Sequence, residues 1–134
     1  MKLIRKRSAK AVGIALAAVA LAMGTATSAS AGTIAHAYTT DDNPGGHAWL
    51  MDEGEQFRVQ DKDSDGYRAS GYLRFNGNTY RLDDANGAAT GDSGGWVSKD
   101  FSIAEGTRYE VMVCLRDGAD GVAKFCSAWH AGLA

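Results

Sequence analysis

The 134-residue sequence predicts an all-β protein, an antiparallel β-sandwich of about seven strands over residues 47–134. Three observations predict it. Strand-like runs with alternating apolar residues are separated by Gly, Asp and Asn clusters at short spacing. No segment beyond residue 31 sustains a helical period. Two late cysteines, Cys114 and Cys126, are spaced to staple a pair of strands. A small closed β-barrel is the alternative architecture.

Residues 1–31 read as a secretory signal peptide. Lys2, Arg5, Lys6, Arg7 and Lys10 form a positive start, Ala11–Met23 is apolar, and Ala29-Ser30-Ala31 is an A-x-A cleavage site. The apolar run is too short to span a bilayer, and no later stretch approaches the ~20 residues needed. The expected product is freely secreted, with no membrane association after cleavage. Residues 32–46 (GTIAHAYTTDDNPGG) are small and polar and read as an extended N-terminal arm with room for a first short strand.

The sandwich elements follow in order. Ala48–Met51 is short and apolar. Glu55–Asp61 alternates, with Phe57 and Val59 on one face. In Tyr67–Phe75, the residues Tyr67, Ala69, Gly71, Leu73 and Phe75 face one way, and Arg68, Ser70, Tyr72 and Arg74 the other. Asn76-Gly77 is the pair favoured by a type I′ turn, so Asn78–Asp83 returns as a hairpin. That turn sets Leu73 against Tyr80, Gly71 against Leu82, and Tyr72 against Arg81, where a cation–π contact is expected. A one-residue slip would oppose Arg74 to Arg81, which like charges disfavour. Residues 84–95 read as a loop. Trp96–Ile103 and Thr107–Arg116 are the next strands, and Val122–His130 is the last. Cys114 and Cys126 are then expected to bridge this terminal hairpin across its two strands, adding roughly 3 kcal/mol.

Charge excludes some functions. The whole chain has 14 basic and 16 acidic side chains. Removing residues 1–31 takes away five basic residues and no acidic ones, leaving 9 − 16 = −7. Such a surface disfavours nucleic acid and anionic membranes. It suits a cationic partner, or simply solubility outside the cell.

Four constellations invite a chemical reading. Gly91-Asp92-Ser93-Gly94-Gly95 resembles the nucleophile loop of chymotrypsin-like serine proteases, and the resemblance would make Ser93 a nucleophile. His47 lies in GGHAW, which is not that family's histidine context. About a hundred residues are also too few for its two barrels, so a Gly/Ser loop is the expectation. Asp61-Lys62-Asp63-Ser64-Asp65-Gly66 opens like a calcium loop, with Asp61, Asp63 and Asp65 as candidate ligands of a weak site. The twelfth position is Tyr72 rather than an acid, so an acidic turn whose aspartates bond the local backbone is the competing reading. His36, His47 and His130 have no metal-ligand spacing and read as scattered surface residues. Trp49, Tyr72, Trp96 and Trp129 are candidates for a sugar- or peptide-binding surface, with core packing as the alternative.

Two resemblances complete the reading. Ile103–Val113 (IAEGTRYEVMV) resembles the corner between the fifth and sixth strands of fibronectin type III domains. The resemblance implies an immunoglobulin-like sandwich in which Tyr109 is a corner tyrosine, its hydroxyl bonding back to the turn backbone. Asp61–Gly66 and Glu105–Cys114 together resemble a pattern in small secreted proteins of filamentous actinobacteria that carry a single late disulfide. That resemblance implies no mechanism. The expected function is therefore a secreted, non-catalytic binding or adaptor domain with an extracellular protein partner, within an extracellular assembly. No cofactor is expected apart from the weak calcium candidate. A secreted protease inhibitor is the alternative, and a small hydrolase using Ser93 stands third.

Overall fold

A computed structural model describes residues 32–85 and 95–134. The expected signal peptide at 1–31 and the segment carrying Ser93 lie outside the described residues. Within them the chain forms eight strands and no helix: β1 (His36–Tyr38), β2 (Gly46–Met51), β3 (Gln56–Asp61), β4 (Arg68–Phe75), β5 (Asn78–Asp84), β6 (Trp96–Asp100), β7 (Arg108–Arg116) and β8 (His130–Leu133). They divide into two antiparallel four-stranded sheets, ordered β1-β2-β3-β6 and β5-β4-β7-β8. The all-β sandwich is thus observed, and the strands do not close into a barrel.

The alternation read from the sequence builds the core. Leu50, Phe57 and Val59 point inward from the first sheet and are fully buried. Ala69, Leu73, Val111 and Val113 meet them from the second. Gly71 sits where the sheets come closest. A Cβ there would lie 2.3 Å from Val59 Cγ2 and 3.0 Å from Phe57 Cζ. Any side chain at this position would push the layers apart.

The hairpin of β4 and β5 has the expected register, with Leu73 opposite Tyr80, Gly71 opposite Leu82 and Tyr72 opposite Arg81. Asn76 and Gly77 both take the positive φ of a type I′ turn, at 49° and 78°. The expected cation over Tyr72 is a different residue. Arg116 of β7 lies 5.9 Å from that ring and donates to the Tyr72 hydroxyl. Arg81 instead turns to Asp83 at 2.7 Å.

The C-terminal region departs from expectation. The last strand begins at His130, not Val122. Cys126 is joined to Cys114, but from an irregular segment rather than a paired strand. Register explains the change. Leu115 bridges Lys124, whereas Val111 pairs with His130. Between those points Met112–Cys114 faces the longer stretch Phe125–Trp129. The longer side therefore bulges, with Phe125 at φ 51°. Ser127 repairs the ladder: its N–H donates to the Val113 carbonyl at 2.9 Å, and its hydroxyl accepts from the Val113 N–H at 3.1 Å.

The arm is docked on the sandwich. β1 adds to the edge of the first sheet beside β2, and Thr33 exchanges two backbone hydrogen bonds with Leu133 of the second, at 2.9 and 3.1 Å. Tyr109 opens β7 just after the Gly106 turn, the corner position. Its hydroxyl does not bond to that turn, however. It donates to the Thr33 carbonyl at 2.9 Å and accepts from the Ala35 N–H at 3.0 Å. The ring is 2 % exposed, and burial raises the phenol pKa above its ordinary value. Replacing Tyr109 with Phe leaves the Ala35 N–H without its acceptor. The expected loss is about 1–2 kcal/mol in urea unfolding, with faster amide exchange at 33–38 than in β3 or β7.

Candidate functional site

The outer face of the first sheet carries a group of aromatic and histidine side chains drawn from three strands. In β1 and β2 the small or aliphatic residues Ala37, Ala48 and Leu50 point inward. The period of two therefore turns His36, Tyr38, His47, Trp49 and Met51 outward. Pairing sets His36 opposite Trp49 and Tyr38 opposite His47. β3 then places Arg58 beside Trp49 and Gln60 beside His47, and β6 places Trp96 beside Gln60.

The rings form a column. The centroids of Tyr38 and His47 are 4.3 Å apart with planes 5° from parallel, and those of His47 and Trp49 are 4.2 Å apart at 18°. Trp96 meets Trp49 edge-on at 5.9 Å. Cations close both ends, with Lys62 Nζ 6.0 Å from the Tyr38 ring and the Arg58 guanidinium 4.8 Å from Trp96. Beside the column, His36 Nδ1 and His47 Nε2 are 3.0 Å apart, one donating and the other accepting. Exposure falls along the stack, from 46 % at Tyr38 to 8 % at Trp49. Polar residues frame it: Arg58 Nε donates to Gln56 Oε1 at 2.6 Å, and Gln56 Nε2 to Asp100 at 3.2 Å.

The opposite face of the sandwich has another character. Ion pairs join Arg68 and Arg81 to Asp83, and Arg74 and Arg108 to Glu110. Among the described residues, Arg58 and Lys62 form no such pair. The four aromatics expected to share a surface are split between the two faces. Trp49 and Trp96 belong to the column. Tyr72 lies under Arg116 and Trp129 under Arg74, at 4.0 Å, on the second sheet.

The scattered-histidine expectation holds for His130, which sits on β8, but not for the pair His36 and His47. They lie eleven residues apart across a Thr-Asp-Asn-Pro-Gly loop, a separation without metal-ligand periodicity. A usable signal existed. His36/Tyr38 and His47/Trp49 each alternate, and the Pro44-Gly45-Gly46 turn between them is a hairpin cue.

The acidic loop adopts the backbone-bonding arrangement. Asp61 Oδ1 accepts from the Asp63 N–H at 3.2 Å, and Asp65 Oδ1 from the Tyr67 N–H at 2.9 Å. The Asp63 carboxylate turns towards Gly45. No group of three or more His, Cys, Asp or Glu side chains is gathered for a metal among the described residues. Asp61 ends β3 on the inward face and borders a cleft of about 490 Å³ with Asp63, Tyr67, Arg68 and Asp117. Comparison of the chain with protein-family models, with curated proteins and with solved structures gives no match.

Two buried titrating groups pull stability in opposite directions. Burial, reinforced by His36 and Lys62, lowers the His47 pKa from 6.5 to about 4. Its stabilising contribution is complete above pH 6.5 and is lost as pH falls through about 4. Burial, with the charges of Asp65, Asp84 and Asp63 adding to it, raises the Asp61 pKa from 3.8 to about 6. Its contribution is complete below about 3.8 and is lost as pH rises through about 6. Between pH 4 and 6.5 the two oppose each other. In urea titrations, Asp61→Asn is expected to make the domain lose stability on acidification, and His47→Gln to make it gain. Each swing should be about 1 kcal/mol after solvent screening.

Proposed function

We propose that this is a secreted, non-catalytic binding domain that meets an extracellular protein through the outer face of its first sheet. The observation that carries this reading is the composition of that face. Tyr, Trp, Met and Arg are the residue types enriched at the centres of protein interfaces, and here they lie together within a polar frame. Protein suits the face better than sugar. A pyranose ring stacks on a free aromatic face, whereas the faces of His47 and those turned towards it are already stacked on one another. Secretion is supported by the Cys114–Cys126 disulfide, which is compatible with an oxidising compartment, and by the A-x-A segment at 29–31. An immunoglobulin-like classification is supported by strand order. β2-β3-β6 and β5-β4-β7-β8 parallel the A-B-E and C′-C-F-G order, with Tyr109 entering the F-like strand.

The tagged domain, cross-linked in culture supernatant, is expected to retain a discrete protein. The double variant Tyr38→Asp, Arg58→Glu should lose it at least tenfold with an unchanged melting temperature, while Arg108→Glu on the opposite face retains it. Equal retention by both variants would refute the assignment of the surface.

A second reading, protease inhibition, is favoured by one feature. The loop 117–125 is anchored by the disulfide and by hydrogen bonds from Arg116 to the Gly121 carbonyl and from Arg81 to the Ala119 carbonyl. It presents Val122 at 78 % exposure. A held, convex loop with an apolar tip fits a protease cleft with little ordering cost. Against a panel of extracellular proteases, this reading requires inhibition by the oxidised domain that weakens on reduction or in Val122→Gly. No inhibition at micromolar domain removes it.

A further inference from the structure

The contact between His36 and His47 holds two imidazole nitrogens from neighbouring strands against each other at 3.0 Å, at the solvent side of the ring column. Each of these nitrogens has only the other as its hydrogen-bond partner among the described residues. We propose that this pair is a two-imidazole site for a late first-row divalent cation, Cu²⁺ or Zn²⁺, completed by water. Imidazole nitrogens bind such ions at about 2.0–2.1 Å, so two of them in cis or tetrahedral positions stand roughly 3 Å apart. The observed spacing already has that value. The lone pairs must be turned towards a common point, which requires a swing of one ring about its soft terminal torsion. His36 is exposed and free to make that swing. His47 is clamped between Tyr38 and Trp49 and serves as the fixed ligand, so little ordering is left for binding.

Proton accounting is simple. One proton lies in the N–H···N contact between the two rings. Binding moves that proton to the far nitrogen of the same ring, leaving His36 protonated on Nε2 and His47 on Nδ1 with no net release. The depressed basicity of His47 keeps it available as a ligand well into the acid range. Lys62, which lies against Tyr38, opposes the cation locally, while the net −7 of the chain beyond residue 31 favours it. Carboxylate-seeking ions have no such preference for imidazole, so Ca²⁺ is the discriminating control.

The test titrates Cu²⁺, Zn²⁺ and Ca²⁺ separately into the exported protein by calorimetry, with tryptophan fluorescence as a second readout, because Trp49 lies against His47. The expected result is one equivalent of Cu²⁺ bound at micromolar affinity with quenching, weaker Zn²⁺ binding and no Ca²⁺ binding. His36→Gln, at an exposed position, should weaken Cu²⁺ binding at least tenfold with an unchanged melting temperature. His130→Gln should leave it unaltered. Cu²⁺ binding as tight in His36→Gln as in the native chain, or absent from both, overturns the proposal.

Discussion

The hydroxyl of Tyr109 is the point on which the arrangement of this molecule depends. It lies at the start of β7, within the core, and holds two backbone groups of the arm, the Thr33 carbonyl and the Ala35 N–H. Those bonds fix where the arm runs. The arm in turn carries β1, and β1 contributes His36 and Tyr38 to the outer face. Without that placement His47 would lose Tyr38 from one side of its ring and His36 as its hydrogen-bond partner. A phenol buried for packing thus sets the geometry of a surface on the other side of the sheet. The arrangement uses the economy of tyrosine, a large apolar body with one polar atom that must be satisfied.

The two outer faces solve different physical problems. On the second sheet, Arg68, Arg74, Arg81 and Arg108 are matched to Asp83 and Glu110, and the bulged segment with its disulfide lies beside them. Partly exposed pairs of this kind add little stability but leave no charge seeking a partner. On the first sheet the rings satisfy one another, and the cations at the column ends rest on ring faces rather than on carboxylates. Among the described residues Arg58 and Lys62 on this face form no ion pair, and the proposed binding surface and imidazole pair both lie here.

Much of the fold was legible in the sequence because it rests on local rules. The alternation of Phe57 with Val59 and of Tyr109, Val111 and Val113 reports burial directly. The Asn76-Gly77 turn fixes register through backbone sterics alone. The failures have a common physical origin in nonlocal geometry. Cys126 resembles a strand position by symmetry about the turn, but two extra residues between Lys124 and His130 bulge out of the ladder. Arg116 rather than Arg81 reaches Tyr72 because a side chain on a third strand competes for the ring, and Asp83 competes for Arg81. The acidic loop is a local case that follows the acidic-turn reading, since N–H groups two residues on bond to Asp61 and Asp65. The histidine pair exists only once β1 and β2 are paired.

The bridge between Thr33 and Leu133 has a mechanical consequence. The two strands run antiparallel, so the chain enters and leaves the domain at one pole, side by side. Tension applied between the two ends loads this bridge as a zipper rather than in shear, and its two hydrogen bonds break in turn. The Tyr109 hydroxyl would be released next, before β3 or β4 carries any load. Stretching at the pole would therefore loosen the ring column on the first sheet while the core stays folded.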